Sequence, residues 1–191
     1  MKFKRVIMDI DDTLTTYKAE RENLRKMFDS DLFSKYYPEN GWHTYAFEDD
    51  PLNVLTEEDA DLFWQKHERD IYEEAQLIPN YRELVTRFLD KDATVTVITN
   101  RDANMRNVTS HWLDQNKVQF DDLIMMSGNS KIPLIDSLEA DLVIEDKPSF
   151  VSELHQQSRQ YIDGKLKLVL VDHPYNQNCS CDWRFKADKQ F

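Results

Sequence analysis

Three carboxylates, Asp9, Asp11 and Asp12, fall within four residues directly after the apolar run Val6-Ile7-Met8. A short, β-branched-rich apolar run reads as a buried strand of a parallel sheet. Unpaired charge is costly to bury, so carboxylates closing such a strand must be hydrated, paired or bound to a cation. Parallel α/β sheets hold ligands just beyond the carboxyl ends of their strands, which is where these three fall. A hard cation such as Mg²⁺ takes oxygen ligands, keeps several waters and needs only a few protein carboxylates. The plainer alternative is an acidic turn after a strand. A second junction of the same kind argues against it, because Leu142-Val143-Ile144 runs into Glu145-Asp146-Lys147-Pro148. Two such junctions meeting in one crevice point to a Mg²⁺ site.

The elements that must position these groups follow from hydrophobic pattern. Thr94–Thr99 is β-branched throughout and reads as a second strand, delivering Thr99, Asn100 and Arg101 to its carboxyl end. A hydroxyl and an amide there can hydrogen-bond phosphate oxygens, and Arg101 can pair with them. Asp122–Met126, Leu142–Ile144 and Lys167–Val171 complete five strands. Leu84, Val85, Phe88 and Leu89 mark a helix over 80–91, and Met105, Val108, Trp112 and Leu113 mark another. Pro148 suits a helix start, with Val151 and Leu154 turned inward. Strands alternating with helices give a five-stranded, Rossmann-like parallel α/β sheet. Beyond it stand Asp172-His173-Pro174-Tyr175-Asn176, read as loop, and a polar tail.

Residues 16–78 lack strand patterns and read mostly as helix, an insertion at the ligand edge of the sheet. Leu24, Met27, Phe28 and Leu32 recur at helical spacing until Pro38 and Gly41, and Trp42–Asn53 reads as loop. Thr56 then offers an N-cap, with Glu57, Glu58 and Asp59 favourable to the helix dipole. Ala60, Phe63, Trp64, His67, Ile71 and Ala75 form one stripe of that helix. Simple packing within the insertion is the plainer reading of its aromatics. Phe63 and Trp64, however, are neighbours that point in different directions and cannot serve one packing stripe equally, which leaves one of them as a candidate to reach a base or other flat ligand. The expected organisation is an α/β core of residues 1–15 and 79–191 with a helical cap of residues 16–78.

Composition bounds the function. A chain of 191 residues, 40% hydrophobic and 31% charged, is one soluble domain or one domain with a large insertion. No apolar run approaches the ~20 residues that span a bilayer, and Met1–Arg5 is not followed by the apolar stretch of a signal peptide. The expected location is therefore cytoplasmic, with no membrane partner. A net charge of −12 argues against a long nucleic-acid partner but not against one nucleotide held by a few local cations. With three glycines the chain has no Gly-rich phosphate loop. Cys179 and Cys181 read as free thiols, because a Cys-x-Cys metal site would need two more ligands.

The run Asp9-Ile10-Asp11-Asp12-Thr13-Leu14 resembles the first motif of the haloacid dehalogenase superfamily, an apolar run followed by D-x-D-x-T. Thr99, Lys131 after Ser127-Gly128-Asn129-Ser130, and Glu145-Asp146 resemble its later motifs, in the same order. The insertion resembles a C1-type cap. Within the superfamily the chain is most similar to the 5′(3′)-deoxyribonucleotidases, cytosolic and mitochondrial, and their bacterial and phage relatives. Phe63-Trp64 with Leu77-Ile78-Pro79, Ile144-Glu145-Asp146-Lys147, and His173-Pro174-Tyr175-Asn176 carry that similarity. It departs at Glu145, where an Asp is more usual, and at Asn100-Arg101, where small residues are expected.

The resemblance implies Asp9 as nucleophile and Asp11 as acid/base, acting on a nucleoside monophosphate. It implies Mg²⁺ held by Asp9, the Asp11 backbone carbonyl and Asp146, with Glu145 in support. Thr99, Asn100 and Lys131 are the implied phosphate-binding residues, and Phe63, Trp64 and Arg101 the implied substrate pocket. Asp12 is read as a surface or capping residue, and Tyr175 and Asn176 as loop-shaping. A phosphatase for another small phosphoester, such as a sugar phosphate, and a non-catalytic phosphate-binding module are the rival readings. A homodimer is left open.

Overall fold

A computed structural model describes residues 1–16 and 56–187, and the account below concerns these. The helix expected around Leu24–Leu32 and the loop at Trp42–Asn53 lie outside them. Strands β1 (Phe3–Met8), β2 (Leu89–Thr99), β3 (Asp122–Met125), β4 (Leu142–Glu145), β5 (Lys167–Val171) and β6 (Trp183–Phe185) form one sheet. Its order is β3-β2-β1-β4-β5-β6 and every pairing is parallel. The α/β class is as expected, but the count of five is corrected to six. β6 is a three-residue edge strand inside what reads as a polar tail, too short to display a period of its own. It is held because Phe185 is buried and pairs with Val171.

The second strand also begins earlier than Thr94. Leu89 pairs opposite Phe3, and the register then shifts so that Thr94 faces Arg5, leaving Lys91 and Asp92 exposed in the bulge. Around the sheet lie α1 (Glu57–Glu74), α2 (Tyr81–Phe88), α3 (Arg106–Gln115), α4 (Ile132–Ser137), α5 (Pro148–Gln157) and α6 (Arg159–Ile162).

Side chains of successive strand residues point to opposite faces, and both faces are covered. Val6, Met8, Val95, Val97, Ile144, Val169 and Val171 pack with Leu84, Phe88 and Trp112 of α2 and α3. Ile7, Ile98, Val143, Leu168 and Leu170 pack on the other side with Ile135 of α4 and Phe150, Val151 and Leu154 of α5. Cys179 and Cys181 are free thiols, half-buried against this second cluster.

Residues 14–16, after β1, meet residues 76–78, before α2. Thr15 pairs antiparallel with Leu77, the Thr16 amide donates to the Gln76 carbonyl at 2.9 Å, and the Ile78 amide donates to Leu14 at 2.8 Å. α1 begins at Glu57, directly after Thr56, and buries Phe63, Ile71 and Tyr72. It is docked on α3, where the buried indole of Trp112 donates to the Ala75 carbonyl at 2.7 Å. Among the described residues, no helix is long and apolar enough to cross a membrane.

Candidate active site

β1 lies between β2 and β4, and the chain's progression reverses direction there. Crevices at such switch points are where open α/β sheets bind ligands. The Asp9 amide donates to the Ile144 carbonyl at 3.1 Å, so the β1–β4 ladder continues one residue past β1. That places Asp9 beside Glu145 and Asp146, the first residues beyond Ile144. Carboxylate oxygens of these three buried residues lie within 4.8 Å of one another.

One cation sits among them. Lys131 Nζ donates to Asp9 Oδ1 at 2.6 Å and to Glu145 Oε1 at 2.9 Å, and its side chain is only 5% exposed. Glu145 Oε2 accepts the amides of Asp146 and Lys147, each at 2.7 Å, so Glu145 fixes both Lys131 and the turn after β4. Asp146 accepts from Thr13 Oγ1 at 2.8 Å and from the Tyr175 hydroxyl at 2.5 Å, one on each carboxylate oxygen. Burial pushes the Asp9 carboxyl up to about 7, with Lys131 opposing the rise and Glu145 and Asp11 adding to it. Burial, then Glu145 and Asp9, also hold the Asp146 carboxyl well above its ordinary value. Burial alone would lower the Lys131 ammonium, but Asp9 and Glu145 more than offset it and hold the lysine charged. Among the described residues, three buried carboxylates thus gather around the Lys131 ammonium. An oxygen accepting one hydrogen bond keeps a second lone pair for a cation. This all-oxygen, negatively charged donor set suits a hard divalent ion.

These groups open on a cavity of about 280 Å³ whose lining includes Asp9, Asp11, Asn100 and Asp146 from the loops that follow the strands, Lys131 from the start of α4, and Trp64 and Tyr72 from α1. Asp9, Asp11, Asn100, Lys131, Glu145 and Asp146, singled out from the sequence, are therefore brought together. Thr99 is fully buried, and its hydroxyl accepts the Arg101 amide at 3.3 Å, which leaves its own proton to donate. The two neighbouring aromatics of α1 part company. Trp64 lines the cavity, while Phe63 is buried against Trp64 and His67, with centroids at 5.7 and 5.2 Å.

Arg101 lines the cavity too, but its guanidinium is engaged by protein. Nε and Nη2 grip the Asp11 carboxylate at 3.0 and 2.6 Å, and Nη1 donates to Thr109 Oγ1 at 3.3 Å. Asp12 is no plain surface residue. It lines the cavity in the left-handed backbone region (φ 56°), which Asp tolerates better than most residues, and its carbonyl meets His173 Nε2 at 2.6 Å.

Sequence reasoning missed the supports of Asp146. A 3₁₀ turn, Pro174–Asn176, sets Tyr175 on the Asp146 carboxylate, stacked on His173 with centroids 5.0 Å apart. Asn176 Nδ2 donates to the carbonyls of Asp146 and Val171 at 2.8 and 2.7 Å. Arg184 of β6 ties that turn down by donating to the carbonyls of Asn176, Gln177 and Cys179 and to the Asp172 carboxylate. The sequence signals were the cluster Asp172–Asn176 following an apolar strand and the family resemblance of His173-Pro174-Tyr175-Asn176, which were read only as loop-shaping.

No family model matches the chain. Among solved structures, YfnB of Bacillus subtilis, a magnesium-bound protein assigned to the haloacid dehalogenase (HAD) hydrolases, superposes with a TM-score of 0.58. The match is 18% identical and covers 97% of this chain and 95% of that one. The L-2-haloacid dehalogenase of Xanthobacter autotrophicus superposes with a TM-score of 0.51 at 11% identity, covering 88% and 77%. The fold is that of the HAD hydrolases. Among proteins of known sequence, this HAD-fold chain is 23% identical over 177 residues to a nucleotidase of Clostridium acetobutylicum, covering 93% of this chain and 84% of that relative.

Proposed function

We propose that the protein is a Mg²⁺-dependent phosphomonoester hydrolase that works through an aspartyl-phosphate on Asp9, with nucleoside monophosphates, deoxyribonucleotides foremost, as substrates. The observation that carries the chemistry is Lys131 seated between Asp9 and Glu145, beside Asp146, at the switch point of the sheet. Asp9 attacks phosphorus in line, forming an Oδ–P bond as the P–O bond to the leaving group breaks. Asp11 gives its proton to the departing alkoxide. Water then attacks phosphorus, Asp11 takes a proton from it, the Asp9–phosphorus bond breaks, and inorganic phosphate leaves. Lys131, with the Thr99 hydroxyl and Asn100, stabilises the equatorial oxygens, over which charge spreads in the transition state. Asp9, Asp146 and the Asp11 carbonyl would hold Mg²⁺, which would supply charge neutralisation at the phosphoryl group and keep Asp9 ionised.

Two further readings belong to this proposal. Residues 16–78 act as a substrate-selecting cap on a core of residues 1–15 and 79–191. Trp64, exposed to the cavity, is the surface on which a base stacks. The resemblance to nucleotidases supports both, and the bridge between Thr15 and Leu77 supports the cap boundary. The test is phosphate release from ribo- and deoxyribonucleoside monophosphates and from sugar phosphates, with Mg²⁺ and with EDTA, for wild type and Asp9→Asn. Release from nucleotides that requires Mg²⁺ and Asp9 is the expected result. Release from sugar phosphates alone would keep the mechanism and discard the substrate class. No release from any of them would leave a phosphate-binding module.

A further inference from the structure

Arg101 is the chemical oddity of the site. Its side chain is 1% exposed, and a buried guanidinium is tolerated only where it is paired and hydrogen-bonded. Each of its three nitrogens donates within the protein, to Asp11 twice over and to Thr109. Its backbone amide is held by Thr99. One face of the guanidinium lies over the Tyr72 ring of α1, with Cζ 3.8 Å from the ring centroid. An arginine meant to grip a substrate phosphate keeps its fork open toward the cavity; this one is built in as a strut.

The other end of the strut is Asp11, whose side chain is 35% exposed. A carboxylate on a short, partly solvated side chain has several rotamers to sample. Bidentate pairing fixes both oxygens in the plane of the guanidinium, which a single point charge cannot do. Proton transfer needs the donor within hydrogen-bond reach of the leaving oxygen, and a misplacement of about 1 Å costs on the order of a hundredfold. We infer that Arg101 positions Asp11 for proton transfer, and that Tyr72 makes the position of α1 part of that alignment. The inference rests on the phosphohydrolase reading above. Arg101 is a positioning residue, acting through Asp11 and not on substrate.

Its signature is dependence on the leaving group. An alkoxide is strongly basic and needs a proton as it departs, whereas 4-nitrophenolate departs without one. Because kcat/KM reports only the steps through the first irreversible transfer, it isolates this effect from the later attack of water. The expected result for Arg101→Met and Arg101→Lys is a kcat/KM that falls ten- to a hundredfold further on an alkyl phosphate turned over by the wild type than on 4-nitrophenyl phosphate. Asp11→Asn gives the same split, and adding Arg101→Met to it brings no further split. Tyr72→Leu shifts the ratio in the same direction by a smaller factor. If Arg101→Met does not fold, Arg101→Lys, which keeps the charge but not the fork, carries the test. Equal losses on both substrates, or a split that accumulates on top of Asp11→Asn, would overturn the inference while leaving the hydrolase reading intact. A wild type that releases phosphate from neither substrate would overturn both.

Discussion

Asp9 is a carboxylate placed where its charge is costly without a cation. Its carboxyl rises from 3.8 to about 7, chiefly through burial, despite the 2.6 Å contact with Lys131. A group whose folded pKa is raised stabilises the fold fully below its unfolded pKa, and that stabilisation is lost as pH climbs through the folded value. In EDTA the wild type should therefore lose stability between about pH 4 and about pH 7 relative to Asp9→Asn, by a few kcal/mol on the scale of about 1.4 kcal/mol for each pKa unit. Urea unfolding of both proteins at several pH values measures it, and parallel curves would refute it. Lys131, five residues into a loop, stood out in the sequence only by its place in the order of motifs that the chain resembles. The gathering of Asp9 and Asp146 was legible because each closes an apolar strand and strand ends converge at one edge. The clamp of Arg101 on Asp11 was not, since its partners are 90 residues apart and nothing in the local pattern of either announces the other.

Among the elements, β5 could be read to the residue because Leu168–Val171 is continuously apolar and buried on both faces. β6 could not, although it underpins the site through Arg184, the Pro174–Asn176 turn, Tyr175 and Asp146 in succession. Three residues of strand in a polar context carry no periodicity, and the burial of Phe185 depends on β5 already being in place. Partners that orient a metal ligand are typically worth ten- to a hundredfold in affinity. Tyr175→Phe should accordingly weaken Mg²⁺ binding about tenfold by calorimetry with little change in thermal stability, because it deletes one hydroxyl at the cavity. Arg184→Ala should do both. It releases several carbonyls and deletes the ion pair of Asp172, at a cost of about 1–3 kcal/mol. An Arg184→Ala protein with unchanged Mg²⁺ affinity would show that the turn holds its place without β6.

For the molecule as a whole, the charge balance sets opposite demands on the two small partners of the proposed reaction. The chain carries −12, and the cavity lining adds Asp9, Asp11, Asp12, Glu145 and Asp146 against Arg101, Lys131 and Lys147. Two of those three cations are already paired with carboxylates of the same cavity. Once Asp9 and Asp146, both raised by burial, are ionised, the field at the site therefore draws Mg²⁺ in and opposes a phosphate dianion. Salt screens such forces, with a Debye length of about 30 Å at 0.01 M and about 8 Å at 0.15 M. Raising KCl across that range should weaken Mg²⁺ binding to the free protein. At saturating Mg²⁺, the same change should raise kcat/KM for a phosphomonoester severalfold, because long-range repulsion of the substrate is what is being screened. Neutral-salt titrations with the nucleotide and with 4-nitrophenyl phosphate should agree in sign, since the effect belongs to the approach of the phosphate and not to its leaving group. A kcat/KM that falls with salt would mean that Lys131, Lys147 and the bound cation together reverse the field at the mouth of the cavity.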